Sequence, residues 1–313
     1  MTISTLAFDA ARVTELAAIA SWAQIGRGDE KHADQLAVDA MRTALNGLDI
    51  DGKIVIGEGE RDEAPMLYIG EKVGTGKGPA IDIALDPLEG TTLTAKAMAN
   101  ALCVLAMSEG GGMLHAPDTY MDKIAVGPGY APGLVDLDMS PQDNVKALAK
   151  AKGVATRDIT VCVMDRPRHA ELIAALREVE ARVMLITDGD VAGVIHTAEP
   201  HTGIDLYLGQ GGAPEGVLAA AALKCVGGFF QGRLVFRNDD ERARAARTGV
   251  TDLNKKYDLH ELVSKDAVFA ATGVTKGAML DGVSMKGGFV ETHTVVMDSA
   301  SRTVRRIRMT RPL

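Results

Sequence analysis

The chain has 313 residues, 46% of them hydrophobic and 24% charged, so it can bury a large core as one α/β unit or two sub-domains. Its formal net charge of −8 argues against binding to nucleic acid or to an anionic membrane. The three cysteines form no CxxC pair, which is typical of a reducing compartment. Because no long uninterrupted apolar segment occurs, the sequence predicts a cytoplasmic protein without a membrane span.

The first part of the chain alternates helical periodicity with short β-branched runs. Its predicted elements are helices at 7–24 and 34–45, strands at 53–56 and 80–85, a helix at 91–99, a strand at 101–107, and sheet pieces at 122–126 and 134–137. A Gly/Pro-rich loop lies between the last two segments. We therefore place the end of an N-terminal sub-domain at about residue 140.

After residue 140 the pattern changes to regular strand–helix alternation. The predicted elements are helix 141–152, strand 159–164, helix 168–180, strand 182–187, a helix within 188–195, strand 204–208, helix 214–225, and strands near 292–299 and 303–309. This alternation predicts a sheet with helices on both faces. The expected architecture is α/β, with mixed sheets covered by helices in two sub-domains, 1–140 and 141–313.

Acidic side chains collect where predicted strands end. Glu58 follows strand 53–56, Asp86 follows strand 80–85, and Glu89 comes three residues later. Strand-exit loops commonly build ligand sites in α/β proteins, and Mg²⁺ and Mn²⁺ prefer oxygen ligands such as carboxylates. Pro87 restricts the turn between the last two acids. These residues leave two interpretations open, a cation site or a capped turn with solvated acids.

Glycine-rich segments suggest anion binding at two places. In IALDPLEGTT (83–92), Gly90 permits close backbone approach and Thr91-Thr92 can begin a helix beside the acids, an arrangement suited to phosphoryl transfer. GQGGAPEG (209–216) follows a predicted strand and precedes a helix. By contrast, VGTGKGP (73–79) matches neither a Rossmann fingerprint nor a P-loop, because Pro79 takes the last glycine position and no Lys-Ser/Thr follows.

Several motifs occur in an order that resembles class II fructose-1,6-bisphosphatase, the GlpX type, among the lithium-sensitive metal-dependent sugar and inositol phosphatases. They are GRGD (26–29), IGEGE (56–60), DEAPMLYIGEKVG (62–74), DPLEGTT (86–92), YMDKIAVGPG (120–129), RPRH (166–169), DGDVA (188–192), GGAPEG (211–216) and ATGVTKG (271–277). The resemblance implies a layered α-β-α-β-α fold. It also implies Mg²⁺- or Mn²⁺-dependent hydrolysis of the 1-phosphate of fructose 1,6-bisphosphate, in gluconeogenesis or the Calvin cycle. Sedoheptulose 1,7-bisphosphate is the alternative or additional substrate.

The resemblance further implies site residues. The metal ligands would be Asp34, Glu58, Asp86, Glu89 and Glu215. The sugar bisphosphate would be lined by Glu89, Gly90, Thr91, Tyr120, Arg166, Pro167, Arg168, Asp188, Gly189, Asp190 and Gly212. Catalysis would use Asp86, Glu58 and Thr91, because cations lower the pKa of a bound water that a threonine hydroxyl orients. Arg168 is the expected guanidinium for the distal phosphate.

In one loop the chain departs from that family's pattern. The family commonly reads GRGDK, whereas Glu30 separates Asp29 from Lys31 here, so a catalytic role does not carry over to this lysine. Two other functions stay open. Residues 136–140 (DLDMS) approach the signature of phosphatases that form an aspartyl phosphate, although Ser140-Pro141 is typical of a helix start. The other alternative is a non-catalytic protein that binds a sugar phosphate in a metal-dependent way.

The remaining charged side chains point to partners rather than catalysis. The histidines lack metal-ligand spacing, and His169 beside Arg168 is expected to be scaffolding. A group of C-terminal arginines predicts a solvated strand edge or a subunit contact. Its members are Arg302, Arg305, Arg306, Arg308 and Arg311. We expect a homo-oligomer, a dimer or tetramer, with a small sugar bisphosphate as ligand and neither nucleic acid nor membrane as partner.

Overall fold

The computed structural model describes residues 2–59 and 66–313, which form a mixed α/β fold. Packing divides the chain into two compact units. The first consists of Met1–His115 and Val263–Leu313, and the second of Ala116–Leu262. This grouping differs from the division at residue 140, because the last segment of the chain adds its strands to the first unit's sheet. The roles predicted for the two sub-domains stay predictions.

The helices and strands have the following bounds. The helices are α1 (Ala7–Trp22), α2 (Glu30–Asn46), α3 (Thr91–Ala95), α4 (Pro141–Lys152), α5 (Ala170–Glu178), α6 (Asp190–Ile195), α7 (Ala213–Val226), α8 (Asp239–Arg247) and α9 (Leu259–Leu262). The strands are β1 (Asp51–Ile56), β2 (Lys72–Val73), β3 (Ala80–Glu89), β4 (Leu102–Glu109), β5 (Tyr120–Val126), β6 (Thr160–Met164), β7 (Arg182–Ile186), β8 (Leu206–Gly212), β9 (Phe229–Val235), β10 (Lys256–Asp258), β11 (Ala267–Gly273), β12 (Ser284–Lys286), β13 (Phe289–Asp298) and β14 (Thr303–Pro312).

The first unit is built on a mostly antiparallel sheet. Among the described residues its strand order is β2-β1-β3-β4-β11-β13-β12, with β14 paired to β13 and only β1–β3 parallel. Helices α1 and α2 pack on each other and on this sheet. Small and aliphatic side chains such as Ala17, Met41, Ile54 and Ile83 form a shared core. As expected, β14 carries exposed arginines along a sheet edge.

The second unit has a mixed sheet covered on both faces, as the strand–helix alternation predicts. Within the described residues its order is β10-β9-β5-β8-β6-β7, and β8, β6 and β7 run parallel. Because side chains alternate along a strand, Val161 and Val163 pack with α4 and α5. Their neighbour Cys162 faces Gly193 of α6, on the opposite side.

Several element boundaries differ from the sequence expectations. Residues 134–137 form turns instead of a strand, because Asp136 accepts hydrogen bonds from Lys256, Gln231 and its own turn. Strand β3 continues through the acids to Glu89, and β8 continues through GQGG to Gly212. Helix α3 has five residues instead of nine. No helix in the described part of the chain is long and apolar enough to cross a membrane.

Candidate active site

The DPLE segment forms a β-bulge at the end of β3. Asp86 lies opposite Val104 and Glu89 opposite Leu102, so three steps along β3 match two along β4. Pro87 is compatible with this position because a bulge interrupts the hydrogen-bond ladder, to which proline cannot donate. The backbone N–H of Leu88 donates to Asp86 Oδ1 at 3.0 Å, which fixes the direction of that carboxylate. Glu89 is buried.

The residues after the bulge connect two of the sequence motifs. Gly90 has φ +92°, a left-handed conformation that glycine adopts without strain, and α3 begins at Thr91. At the other end of α3, the carbonyls of Thr94 and Ala95 accept hydrogen bonds at 2.9 Å from the backbone N–H groups of Gly26 and Gly28. The GRGD loop is therefore packed against the helix that carries Thr91.

Helix α2 carries Asp34 in the same part of the first unit. Asp29 begins this helix by accepting a hydrogen bond from the His32 backbone N–H at 3.0 Å. Burial raises the pKa of Asp34 to about 6. The pKa of the Cys103 thiol lies well above its ordinary value, first through burial and then through the charges of Asp86 and Asp34. Because α2 packs on β3 and on α3, the structure places Asp34 in the same region as Asp86.

Glu58 follows β1 in a tightly packed turn. Its backbone N–H donates to the carbonyl of Leu67 at 3.0 Å. At the preceding residue, Gly57, an added Cβ would lie 2.1 Å from that same carbonyl oxygen, so this turn requires glycine. The motifs IGEGE and DEAPMLYIGEKVG extend over residues 60–65, which lie outside the described residues.

In the second unit, Glu215 occupies the first turn of α7. Its Oε2 atom is buried and has no hydrogen-bond partner among the described residues. Burial is the main cause that raises the pKa of Glu215; the charge of Asp190 adds to the rise, and Lys123 opposes it. A carboxylate that is buried without a full set of partners is costly unless a cation binds it.

Two consecutive glycines leave space for these carboxylates. An added Cβ at Gly212 would lie 2.0 Å from Glu215 Oε2, and one at Gly211 would lie 1.9 Å from Asp190 Oδ2. GQGG was expected to be an anion cradle before a helix. It forms the end of β8 immediately before α7, where the missing side chains of Gly211 and Gly212 leave space for two acidic groups.

Lys123 pairs with the acid of the DGD motif. Its side chain is fully buried, and Nζ lies 2.5 Å from Asp190 Oδ2. Gly189 has φ +81° and begins α6, so the backbone turns sharply before Asp190. Asp188 precedes this turn and is partly exposed. Sequence reasoning missed Lys123, although the motif YMDKIAVGPG contains it, because its pairing with Asp190 joins positions 67 residues apart.

The RPRH segment is held against β8. Pro167–His169 form a 3₁₀ turn, and Arg166 donates to the carbonyl of Asp165 at 3.2 Å. Arg168 donates to the Gln210 carbonyl at 2.8 and 3.2 Å, and its guanidinium lies 4.8 Å from the ring centre of Tyr120.

His169 fixes this segment from inside the protein. It is buried, its Nδ1 donates to the Met164 carbonyl at 2.7 Å, and its Nε2 accepts from the Gln210 N–H at 2.8 Å. Burial lowers the pKa of His169, in agreement with a neutral ring. Its contacts give it the scaffolding role expected from the sequence.

The donor set suits a hard divalent cation. Within residues 2–59 and 66–313, no three His, Cys, Asp or Glu side chains are close enough together to hold a metal ion. All five predicted ligands are nevertheless carboxylates, the donors that Mg²⁺ and Mn²⁺ prefer. The Oε2 atom of Glu215, which has no partner in the described part of the chain, and the raised pKa of Asp34 are features that a bound cation would relieve.

The DLDMS segment, which approaches the signature of aspartyl-phosphate enzymes, is held by ion pairs. Lys256 Nζ lies 2.5 Å from Asp136 Oδ1 and 2.7 Å from Asp138 Oδ2. Arg233 also pairs with Asp138, at 2.5 Å. These ion pairs join the turn to β9 and β10, which favours a structural role for both acids.

Comparison with known proteins places the whole chain in one family. A family model described as bacterial fructose-1,6-bisphosphatase, glpX-encoded, matches residues 4–311. Fructose-1,6-bisphosphatase 1 class 2 of Escherichia coli (strain K12) is 47% identical over 317 residues, covering 97% of this chain and 94% of that protein. The D-fructose 1,6-bisphosphatase class 2/sedoheptulose 1,7-bisphosphatase of Synechococcus sp. (strain JA-3-3Ab) is 46% identical over 325 residues, with coverages of 96% and 93%. The chain therefore belongs to the glpX-encoded family of bacterial fructose-1,6-bisphosphatases.

Proposed function

We propose that this chain is a phosphatase that hydrolyses the 1-phosphate of fructose 1,6-bisphosphate in a reaction dependent on Mg²⁺ or Mn²⁺. The observation that carries the reaction is family membership over residues 4–311. The arrangement of buried acids, a glycine turn and a threonine at the start of α3 supports the chemistry. The carboxylates of Asp34, Glu58, Asp86, Glu89 and Glu215 would hold more than one divalent cation.

Bound cations supply two effects, neutralisation of phosphate oxygens and a lower pKa for an attacking water. The protein's own part is positioning. Asp86 is held by its hydrogen bond from Leu88, and Glu89 lies at the end of the bulge and is buried. The hydroxyl of Thr91 orients the water, so no covalent phosphoenzyme is required. Glu58 completes the catalytic set.

The sugar and its second phosphate would be bound largely by residues of the second unit. Tyr120 and Arg168 already contact each other, and Arg168 would pair with the distal phosphate through charge-assisted hydrogen bonds. The remaining members of this set are Glu89, Gly90, Thr91, Arg166, Pro167, Asp188, Gly189, Asp190 and Gly212.

The site assignment is tested by Asp86→Asn and Thr91→Ala. Asp86→Asn removes the charge of one proposed catalytic group at nearly constant volume, and Thr91→Ala removes the hydroxyl of the other. Each substitution should lower kcat by about 100-fold or more while the protein stays folded. Phosphate release from fructose 1,6-bisphosphate with saturating Mn²⁺ is the assay, and Asp136→Asn is the comparison. Normal turnover by both site variants would refute the assignment, and an inactive Asp136→Asn variant would revive the aspartyl-phosphate mechanism.

We also propose that sedoheptulose 1,7-bisphosphate is a second substrate. One relative carries both enzyme names, and both sugars present a phosphate at C1. Parallel kinetics on the two bisphosphates, each with Mg²⁺ and with Mn²⁺, measure the preference directly. A sedoheptulose bisphosphate turnover indistinguishable from background would restrict the proposal to the fructose substrate.

The wider assignments are part of the same proposal. They are placement among the lithium-sensitive sugar and inositol phosphatases, a cytoplasmic location and assembly as a homodimer or homotetramer. The motif order from GRGD to ATGVTKG supports the first, and the buried free cysteines suit a reducing compartment. Sedimentation equilibrium of the purified protein measures the oligomeric state.

A further inference from the structure

A second arginine shares Tyr120 with Arg168. Arg237 lies between β9 and α8, and its guanidinium carbon is 4.5 Å from the centre of the Tyr120 ring. The corresponding distance for Arg168 is 4.8 Å. Two guanidinium groups from separate segments thus converge on one aromatic ring that is predicted to contact the substrate.

The Arg237 guanidinium is held in place by a carboxylate that is itself buried. Glu241 has a fully buried side chain, and its Oε1 accepts from Arg237 Nε at 2.7 Å and lies 2.5 Å from Nη2. Its Oε2 accepts from the Arg237 backbone N–H at 2.7 Å. Asn238 begins α8 by accepting from the Glu241 N–H at 2.9 Å, which fixes Glu241 in turn.

This arrangement fixes a cation that remains accessible. The Arg237 side chain is 58% exposed, although Glu241 beneath it is not exposed at all. Both carboxylate oxygens of Glu241 hold Arg237, one at the backbone N–H and one at Nε and Nη2, which limits the rotamers that this long side chain can adopt. The contacts therefore give the guanidinium a defined position. Among the described residues Glu241 engages Nε and Nη2, which leaves the N–H groups of Nη1 to meet a ligand from solvent.

The charges around Tyr120 favour an anion. Arg244 lies near Asp118, with Nη1 and Oδ2 separated by 3.6 Å. Arg168 donates to the neutral carbonyl of Gln210, so its positive charge and that of Arg237 both lie at the Tyr120 ring, although the whole chain carries −8. A phosphate monoester, with about two negative charges and three acceptor oxygens, matches two guanidinium groups.

We propose that Arg237, held in position by Glu241, acts with Arg168 to bind the phosphate of the sugar bisphosphate that is not hydrolysed. This inference rests on the proposed function for the identity of the ligand. It assigns Glu241 as a positioning residue that acts through Arg237. The Tyr120 ring is the surface on which both guanidinium groups lie.

Binding of the two sugar monophosphates tests the proposal. Fructose 6-phosphate carries only the distal phosphate and fructose 1-phosphate only the other, so calorimetric titration with Mn²⁺ present separates the two ends of the site. For Arg237→Gln, the Kd of fructose 6-phosphate should rise by about 10- to 100-fold, the range expected for a lost charged hydrogen bond. The Kd of fructose 1-phosphate should stay within about twofold of wild type.

Three further variants make the result specific. Arg242→Gln removes a neighbouring exposed arginine of α8 that pairs with Asp239, and it should bind both ligands as wild type does. Arg237→Lys keeps the charge without the fork and should lie between wild type and Arg237→Gln. The double variant Arg237→Gln/Glu241→Gln leaves no unpaired buried carboxylate and should show the same selective loss.

Kinetics provide the second measurement. In Arg237→Gln the KM for fructose 1,6-bisphosphate should rise by about 10-fold or more while kcat changes by less than about threefold. Unchanged fructose 6-phosphate affinity, or equal losses for both monophosphates, would overturn the role of Arg237. Failure of the wild type to release phosphate from the bisphosphate would instead refute the proposed function, and the binding data would still report on Arg237.

Discussion

The buried carboxylate of Glu215 lowers the stability of the folded protein without cations and makes the residue suitable as a cation ligand. Its carboxylate is buried, carries a raised pKa and leaves Oε2 unpartnered among the described residues. In the absence of cations this group should destabilise the fold, because burial disfavours its ionised form. With a cation bound, the same features make it a strong ligand.

Glu215→Gln should therefore separate stability from cation binding. In EDTA at neutral pH, the variant should have a Tm equal to or above that of wild type, since a buried charge has been removed. The rise in Tm that Mn²⁺ causes in wild type should be lost or much reduced. Glu171→Gln, which changes an exposed acid in the first turn of α5, is the matched control. A large fall in Tm in EDTA would contradict this interpretation.

Asp34 makes cation binding depend on pH. The pKa of Asp34 is raised from 3.8 to about 6 in the folded protein. Between these two pH values, the folded protein without a bound cation keeps a proton on Asp34 that the unfolded chain has lost. Asp34 thus contributes stability that is present below its ordinary pKa and is lost as pH rises through about 6. A cation must displace this proton, so apparent affinity should fall by about tenfold per pH unit below the raised pKa.

Titration with Mn²⁺ at a series of pH values, followed by electron paramagnetic resonance, measures this dependence. Asp34→Asn should bind weakly at every pH and lose the inflection near pH 6. Asp39→Asn, an exposed position on the same helix, should keep it. Wild-type affinity that does not change across the inflection would exclude Asp34 as a ligand.

The end of β8 shows how a strand can be shaped by its missing side chains. Gly212 has φ −66°, so alanine fits the backbone, but a Cβ there would meet Glu215 Oε2. Gly212→Ala should therefore displace Glu215 and lower Mn²⁺ affinity and kcat/KM, each by about 10-fold or more. Enzyme assays and cation titration test this.

Gly153→Ala is the control, because an alanine there strains the backbone but meets no neighbouring atom. Gly153 ends α4 with φ +68° and has no atom within 4 Å of an added Cβ. Alanine there should cost about 1 kcal/mol of stability through backbone strain, without loss of activity. If Gly212→Ala, like Gly153→Ala, lowered stability but left Mn²⁺ affinity and kcat/KM unchanged, the proposed steric role of Gly212 would be wrong.

The bounds of an element were predicted correctly where neighbouring residues alone determine its start and end. Helix α4 has the predicted bounds, because Ser140, Pro141 and Gly153 provide a start and an end that need no distant contact. The extension of β3 through Asp86 depends on pairing with β4, and the turn at Asp136 depends on Lys256, 120 residues away. Such long-range contacts leave no local pattern, which explains the errors at 134–137 and at the end of β3.

Across the whole chain, motif order predicted the family, and matching over residues 4–311 confirmed it. The structure packs α2, which carries Asp34, on β3, which carries Asp86, and it places the carboxylates of Glu215 and Asp190 against the consecutive glycines 212 and 211. Sequence reasoning missed Lys123, whose partner Asp190 lies 67 residues away, and it did not single out Arg237, whose guanidinium lies over the ring of the distant residue Tyr120. Their identities alone gave no signal, since most lysines and arginines are solvated surface groups.

Cation-dependent release of the 1-phosphate is tested most directly by product analysis. Purified protein is incubated with fructose 1,6-bisphosphate and Mn²⁺, EDTA is added, and excess Mn²⁺ is then restored, while fructose 6-phosphate and phosphate are both followed. The two products should appear in equal amounts, stop with the chelator and resume with the metal. Release that continues in EDTA, or fructose 1-phosphate as the sugar product, would contradict the proposed chemistry.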